Sequence, residues 1–187
     1  AYPTQEILLK VAGPNAPLRC PFEQSAYLHR LIAAQTTIPI AEVFAADTSC
    51  ERWPFRYLIR SAISGMEWAK VRDTLNAQEV AALQAQLGDA VAQLHNISLP
   101  AFGEFGTDGN IRGGIGLVEA LQERARLTIA HPNLLTKFLS LLDRNMDLFV
   151  DIDQSVMCHE DLHRHNLLVK RSGNQWRLAT ILYFDKA

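Results

Sequence analysis

The sequence predicts an α+β fold in which a small lobe of strands and one helix precedes a mainly helical lobe. Strand-like segments dominate residues 6–63, helical periodicity dominates residues 76–149, and a strand–turn–strand pattern closes the chain. Strands and helices that are segregated along a chain in this way are typical of α+β folds. We expect the lobe boundary near Gly65–Trp68, which divides the chain into residues 1–65 and residues 66–187.

The small lobe is predicted from the first four segments. EILLKVA (6–12) is a strand candidate that carries a lysine, Lys10, among apolar residues. FEQSAYLHRLIAA (22–34) repeats apolar residues at helical spacing. IPIAEVFAA (38–46) and FRYLIRSAI (55–63) are short strand candidates, separated by the polar segment DTSCERWP.

The second lobe is predicted to be mostly helical. Residues 76–95 form the clearest helix, with a capping-box start and a single apolar stripe. Residues 100–116 hold six glycines and predict a mobile loop, since no G-K-[ST] follows and no strand precedes them. Residues 118–128 and 133–149 are predicted helices, the second with a broad apolar face. LLVKR and WRLATILYF, within residues 167–184, are predicted to pair across the turn SGNQ.

Composition narrows the possible functions. The chain has 187 residues, 48% of them hydrophobic and 20% charged, and a formal net charge of −2. This balance predicts neither nucleic-acid nor membrane binding, and no apolar run approaches a membrane span. The three cysteines are far apart and form no disulfide framework, which indicates a cytoplasmic location. The chain starts without Met and stops abruptly at ILYFDKA, so we expect a fragment; the sequence indicates no oligomeric state.

The octet HEDLHRHN (159–166) has two interpretations. Its first five letters match H-E-x-x-H, in which two histidines one helical turn apart bind zinc. That interpretation needs a helix and a third ligand. A predicted hairpin follows instead, no glutamate comes after Glu160, and Asn166 and Val169 stand where the extended zinc-protease motif has Gly and His. The pattern disfavours a zinc peptidase but leaves it open.

The whole octet also fits H-x-D-x-x-x-x-N, a catalytic loop of phosphoryl transfer. Asp161 would face the acceptor hydroxyl, and Asn166 would bind Mg²⁺. Lys10 precedes them on a strand, and the strand ending in RSAISG offers backbone groups for adenine. Asp185 follows the hairpin as a further metal-binding acid. This order predicts a phosphotransferase that uses ATP and Mg²⁺ and acts on a hydroxyl of a small molecule.

Seven stretches carry a family resemblance: EILLKVA, FEQSAYLHRLIA, IPIAEVF, YLIRSAISG, LGDAVAQLHNI, CHEDLHRHNLLV and ILYFDKA. Through them nearly the whole chain resembles the aminoglycoside phosphotransferase and choline kinase family, which has the protein-kinase-like fold. The resemblance implies that Lys10 holds the α- and β-phosphates and that Ser61 and Ala62 form the hinge beside adenine. It also implies that Asp161 is the catalytic carboxylate and that Asn166 is a Mg²⁺ ligand.

The resemblance also implies that His163 shapes the catalytic loop; a hydrogen-bonded structural histidine is the equal alternative. The sequence differs from the family pattern at two positions, one expected to bind the metal and one expected to pair with the strand lysine. Tyr183 aligns with the metal-binding acid of the family, and a phenol is a poor Mg²⁺ ligand. Asp185 would replace it if the segment is extended, since residues 183 and 185 then share a side. Ser25 aligns with the helix acid that pairs with the lysine, and Glu23 precedes it by two residues.

Two other interpretations remain besides an active phosphotransferase. The departures at Tyr183 and Ser25 fit a catalytically impaired, kinase-like binding module. An unrelated α+β domain with a chance octet is the other. The acceptor is not predicted, although an acidic pocket would suit a cationic one. The candidate acids for that pocket are Glu104, Asp108, Glu119 and Glu160.

Overall fold

The computed structural model describes residues 6–18, 20–106, 109–112 and 116–184. Within these ranges the strands are β1 (Ile7–Ala12), β2 (Val43–Asp47), β3 (Arg56–Ser61), β4 (Met66–Glu67), β5 (Ser98–Leu99), β6 (Glu104–Phe105), β7 (Ile111–Arg112), β8 (Ser155–Val156), β9 (Leu167–Ser172) and β10 (Gln175–Ile181). The helices are α1 (Phe22–Gln35), α2 (Trp68–Val71), α3 (Ala77–His95), α4 (Leu117–Thr128) and α5 (Pro132–Arg144), with 3₁₀ turns at Arg72–Thr74 and Met146–Leu148. The predicted α+β class is confirmed.

The first sheet has the antiparallel order β1-β3-β2, and α1 packs on it. Phe22 and Ala26 of α1 meet Leu58 of β3 in a small apolar core. Lys10 lies in β1 opposite Leu58. The helix forms because its apolar residues recur on one face, and it ends where the backbone of Thr36 becomes extended.

The strand predicted for residues 38–46 starts only at Val43. The prediction is wrong for the first five residues, and two physical features explain why. Pro39 has no backbone N–H for a ladder, and the carbonyl of Ala41 bonds to the ring of His29 at 3.0 Å. Ile38 nevertheless enters the main core, because its side chain is 5% exposed.

The helix predicted for residues 76–95 is confirmed as α3. It also positions the hairpin that follows the octet. Asn76 and Glu79 form a reciprocal capping box, with hydrogen bonds of 2.9 and 3.0 Å. The Gln86 side chain then accepts from the backbone N–H of Leu178 at 3.0 Å and donates to the carbonyl of Trp176 at 3.3 Å. These two bonds hold β10 against α3 near the point where the β9–β10 register shifts.

The predicted hairpin is confirmed as β9 and β10, which turn at Gly173 with a φ of 59°. Strand β4 joins them, so the second sheet has the order β10-β9-β4. The chain enters this sheet through Gly65. A Cβ at Gly65 would lie 3.1 Å from the Cβ of Leu168 and 3.2 Å from the carbonyl of Val169, which explains why this position has no side chain.

Two predictions in the second lobe are wrong in part. The glycine-rich loop contains the small β6–β7 hairpin, because Phe105 is buried and its ring lies 6.0 Å from that of Tyr27. The helix predicted for residues 133–149 ends at Arg144, because Asn145 leaves helical geometry with φ −120° and ψ 20°. The apolar face of α5 is only partly covered, since Leu134 is 57% exposed whereas Leu142 is buried.

Candidate active site

The octet at residues 159–166 is an irregular loop and not a helix. The zinc-protease interpretation is therefore wrong, since His159 and His163 do not stand one helical turn apart on one face. His159 is buried, and its Nε2 bonds to the carbonyl of Leu182 at 2.8 Å. In the described ranges no group of three or more His, Cys, Asp and Glu side chains is arranged to hold a metal.

Asn166 connects three points of this loop. Its side-chain nitrogen donates to the backbone carbonyl of Asp161 at 2.8 Å, and its backbone N–H donates to the carbonyl of His163 at 2.8 Å. Its own carbonyl accepts from the N–H of Leu182, also at 2.8 Å. The residue is 6% exposed, whereas the Asp161 side chain is 29% exposed. The loop is thus held by the hydrogen bonds of a buried residue, whereas the carboxylate of Asp161 is partly exposed to solvent.

His163 lies near that carboxylate without a direct hydrogen bond to it. Its Nε2 is 3.9 Å from Oδ1 of Asp161, which exceeds hydrogen-bond distance. Its Nδ1 accepts from the backbone N–H of His165 at 3.2 Å. Because Nδ1 accepts, Nε2 carries the ring proton and is the atom that faces Asp161.

A stack of three rings links the loop to α1, and sequence reasoning missed it. The Phe184 ring lies 4.8 Å from the ring of His159 and 6.2 Å from the ring of His29, both edge-to-face. Phe184 is 1% exposed. His29 also bonds to Arg60 at 3.3 Å, and both residues are buried. The sequence signal was the helical spacing that puts His29 on the buried face of α1, three residues after Ala26.

Lys10 reaches the segment that follows β10. Its Nζ lies 5.3 Å from the centroid of the Tyr183 ring, within cation–π range. Tyr183 is 45% exposed and has a φ of 60°, a left-handed conformation that is uncommon for a residue with a side chain. The extended geometry that was expected to put residues 183 and 185 on one side is therefore wrong at residue 183. Asp185 itself lies outside the described residues.

The two hinge candidates are bonded within the first sheet. The N–H of Ser61 donates to the carbonyl of Glu42 at 2.8 Å, and the Ser61 hydroxyl accepts from the N–H of Glu42 at 2.9 Å. The N–H of Ala62 donates to the carbonyl of Glu6 at 2.9 Å. The backbone N–H groups of both residues are therefore already bonded within the sheet.

The residues discussed as partners of Lys10 also have defined positions. Ser25 is 5% exposed on the buried face of α1. Glu23 accepts a short hydrogen bond from the hydroxyl of Thr48, just beyond β2. Its Oε2 is buried without a hydrogen-bond partner among the described residues. The carboxylate of Glu23 is thus held towards the end of β2.

A cavity of about 460 Å³ opens beside the loop, between the β6–β7 hairpin, α4 and the β5–β8 pair. Glu160 lines it, and both carboxylate oxygens of Glu160 accept hydrogen bonds from Arg124. Glu104 lines it too. Glu119 instead caps α4, where its carboxylate accepts from the N–H of Gly116 at 2.7 Å. Asp108 lies outside the described residues.

The sequence model of the phosphotransferase enzyme family matches residues 2–187. The chain belongs to this family. A search of curated proteins found no match. The family assignment therefore rests on a match over nearly the whole chain, and it confirms the predicted resemblance.

Solved structures establish the fold of this phosphotransferase-family chain. A thermostable mutant of aminoglycoside phosphotransferase APH(4)-Ia, in a ternary complex with AMP-PNP and hygromycin B, is similar with a TM-score of 0.67 and 18% identity, over 98% of this chain and 60% of that chain. APH(4)-Ia itself gives 0.64 and 18%, over 96% and 59%. A candidate aminoglycoside phosphotransferase from Ralstonia eutropha JMP134 gives 0.64 and 15%, over 98% and 53%. The predicted protein-kinase-like fold is confirmed.

The phosphotransferase-family chain spans about three fifths of the length of these APH(4)-Ia structures. At such low identity the likeness shows the fold, and residue roles have to be argued from the chain's own contacts. Among the described residues, none of the helices combines the length and the apolar character that crossing a membrane requires.

Proposed function

We propose that the protein is a phosphotransferase that uses ATP and Mg²⁺ to phosphorylate a hydroxyl group of a small molecule. One observation carries the proposal. Asn166 is buried and bonded to the backbone of Asp161 and of Leu182, so the catalytic-loop pair and the end of β10 form one hydrogen-bonded unit. Lys10 reaches the same strand end from the first sheet. Contacts of Asn166 and of Lys10 thus meet in the segment that follows β10, which supports a site for phosphoryl transfer there.

The reaction that fits these residues is an in-line transfer. The acceptor oxygen forms a bond to the γ-phosphorus while the bond from that phosphorus to the β–γ bridging oxygen breaks. ADP leaves with that electron pair, and the acceptor proton passes to the carboxylate of Asp161. Lys10 would bind the α- and β-phosphates, and His163 would shape the loop through the hydrogen bond that its Nδ1 accepts from the N–H of His165.

The donor set fits Mg²⁺ in part. Mg²⁺ prefers hard oxygen ligands, and the amide oxygen of Asn166 is one of them. Its side-chain nitrogen is already used by Asp161, so the oxygen is the atom left for a metal. Asp185 is the second ligand that we propose, because the phenol of Tyr183 is a poor substitute. The metal would neutralise phosphate charge when it is bound.

We also propose that the two lobes have different functions. Residues 1–65 would bind the nucleotide through Lys10 and through the carbonyl groups of Ser61 and Ala62. Residues 66–187 would supply the catalytic loop. The change of sheet at Gly65, where β3 ends one sheet and β4 begins in the other, supports this division. The three cysteines are far apart in the sequence, and this spacing supports a cytoplasmic location for the protein.

Calorimetric titration of the chain with ATP, with and without Mg²⁺, tests the proposal. We expect saturable binding that weakens when Mg²⁺ is removed. Lys10→Ala should weaken it about tenfold, because a phosphate contact is lost. Lys137→Ala, an exposed lysine on α5, is the matched control and should leave the affinity unchanged. Absence of binding, or equal binding by Lys10→Ala, would contradict the proposal.

A second candidate function is a nucleotide-binding module with little catalytic activity. The position of Tyr183 beneath Lys10, where the family has its metal acid, favours this candidate. It predicts ATP binding that does not depend on Mg²⁺. The same titration therefore separates the two functions.

A further inference from the structure

The cavity beside the catalytic loop has the size and position of an acceptor site. Its volume of about 460 Å³ lies within the range of roughly 300–1,000 Å³ that is usual for small-molecule sites. Cys158 and Glu160 form part of its wall. Glu160 directly precedes Asp161 in the chain, so the wall of the cavity reaches the residue next to the proposed catalytic one.

Apolar side chains form most of the described wall. They come from three separate elements and their flanks: the β5–β8 pair, the β6–β7 hairpin and helix α4. They include Leu99, Phe102, Phe105, Leu117, Leu121 and Val156. Such a lining gives little hydration or hydrogen bonding to a charged ligand, so moving an ammonium group into it costs desolvation energy that few contacts return.

The charged side chains of the described wall largely balance. They are three carboxylates (Glu104, Glu123 and Glu160) and two guanidinium groups (Arg112 and Arg124), a net charge of −1. The carboxylate closest in sequence to Asp161 is already engaged, because Arg124 donates to both oxygens of Glu160. Glu160 is therefore not available to bind a cationic acceptor while this pair is intact.

The local geometry supports a stable ion pair between Arg124 and Glu160. Glu160 has a φ of 57°, so its backbone turns at this residue, directly before Asp161. The pairing with Glu160 also raises the pKa of Arg124 above its ordinary value. The two residues come from α4 and from the catalytic loop, 36 positions apart in sequence.

We propose that this cavity binds the acceptor and selects a neutral, mainly apolar hydroxyl compound. Arg124 sets this preference, because it pairs with the carboxylate of Glu160 and so keeps that carboxylate from binding a cationic acceptor. The proposal rests on the phosphotransferase function proposed above. A neutral acceptor differs from the cationic acceptor that an acidic pocket would suit. The acceptor hydroxyl would point towards Asp161, and the apolar body would lie against α4.

Cys158 provides a readout that does not depend on activity. It lines the cavity and is solvent-exposed, so a neutral alkylating reagent reaches it. Cys50 lies outside the described wall and serves as an internal reference in the same sample. Alkylation by N-ethylmaleimide, followed residue by residue with mass spectrometry, reports occupancy of this cavity.

Two probes of equal size isolate the effect of charge. We expect 2-(naphthalen-2-yl)ethanol to slow alkylation of Cys158 saturably and to leave Cys50 unchanged. The corresponding ammonium compound, 2-(naphthalen-2-yl)ethylamine, should need about tenfold higher concentration, because its charge must be desolvated. Equal or stronger protection by the amine, or by hygromycin B, would overturn the proposal.

Variants locate the binding and test the role of Arg124. Ala120→Phe fills the cavity from α4 and should abolish protection by the alcohol, whereas Ala81→Phe, on the exposed face of α3, should not. If Ala120→Phe does not fold, Ala120→Leu should give a partial loss. Arg124→Gln frees the carboxylate of Glu160 and should strengthen protection by the amine. An unchanged preference in Arg124→Gln would overturn the role of Arg124.

Titration of the same preparations with Mg-ATP separates the two proposals. Mg-ATP binding without protection of Cys158 would overturn the acceptor inference and leave the phosphotransferase function in place. Protection without any nucleotide binding would overturn the function and leave the cavity as a ligand site of another kind.

Discussion

The loop at residues 159–166 and the segment 182–184 after β10 lie against each other but are built differently. In the loop, the residue proposed as a metal ligand is also a structural one, because Asn166 is buried and makes three hydrogen bonds. In the segment these roles are separate. Phe184 is buried in the ring stack, whereas its neighbour Tyr183 is exposed beneath Lys10.

Because of this difference, a substitution in the segment should change the chemistry of the site with less effect on the fold than one in the loop. A substitution at Asn166 removes both the proposed metal ligand and the side-chain hydrogen bond to the carbonyl of Asp161. A substitution at Tyr183 alters a side chain in solvent, while Phe184 and the Leu182 backbone keep the segment in place. Substitutions in and around these two regions should differ in the same way.

Asp161→Asn should remove most phosphotransferase activity and little of the structure. We expect kcat to fall about 10²- to 10⁴-fold, because an amide does not accept the acceptor proton. The affinity for Mg-ATP should change only slightly, since the bond from Asn166 goes to the backbone carbonyl of Asp161, which the substitution keeps. Steady-state kinetics and calorimetry measure the two effects. Unchanged kcat would contradict the role of Asp161.

Asn166→Ala should destabilise the loop as well as weaken Mg-ATP binding. The substitution leaves the carbonyl of Asp161 without its donor, and we expect a loss of about 1–3 kcal/mol in the free energy of unfolding. Urea denaturation measures it. His165→Ala, in the same loop but with its side chain 58% exposed, is the control and should change stability much less. An equal loss in the free energy of unfolding in both variants would contradict the structural role of the Asn166 side chain.

Tyr183→Asp should increase the Mg²⁺ dependence of ATP binding without a large loss of stability. A carboxylate is a far better Mg²⁺ ligand than a phenol, and we expect about tenfold tighter Mg-ATP binding. Tyr183→Phe keeps the ring beneath Lys10 and should behave like the unmodified chain. Calorimetry with and without Mg²⁺ distinguishes them. If Tyr183→Asp gains nothing, the metal acid lies elsewhere and the impaired-module interpretation loses its support.

The smallest effect concerns Glu67, which contacts Lys70 at 3.0 Å and His165 at 3.4 Å. Its hydrogen bond with Lys70, followed by that with His165, lowers its pKa below the ordinary 4.5. The carboxylate form is therefore favoured by folding, so its contribution is complete above the ordinary pKa and is lost as the pH falls below it. Glu67→Gln should be slightly less stable at neutral pH and equal in acid. A difference that persists in acid would contradict this assignment.

Much of the fold could be predicted because its signals are local. The capping box of Asn76 and Glu79 and the apolar stripe behind it define α3 without outside help. The turn at Gly173 defines the hairpin in the same way. For the site, the spacing of Asp161 and Asn166 was readable because both belong to one short loop.

What could not be predicted depends on partners distant in sequence. The strand expected at residues 38–46 begins late because the carbonyl of Ala41 bonds to His29 of α1. The β6–β7 hairpin lies within the glycine-rich segment because Phe105 packs near Tyr27. Neither contact leaves a periodic trace in the sequence.

The α+β class, the main helices, the hairpin and the spacing of Asp161 and Asn166 could be read from the sequence alone, because spacing, capping and turn chemistry act over a few residues. How these parts meet depends on the packing of the folded chain. This packing stacks Phe184 between His159 and His29, brings Lys10 over Tyr183, and engages Glu160 with Arg124 from α4. These contacts join residues up to 173 positions apart, as in the pair of Lys10 and Tyr183, and such pairings depend on how whole elements pack.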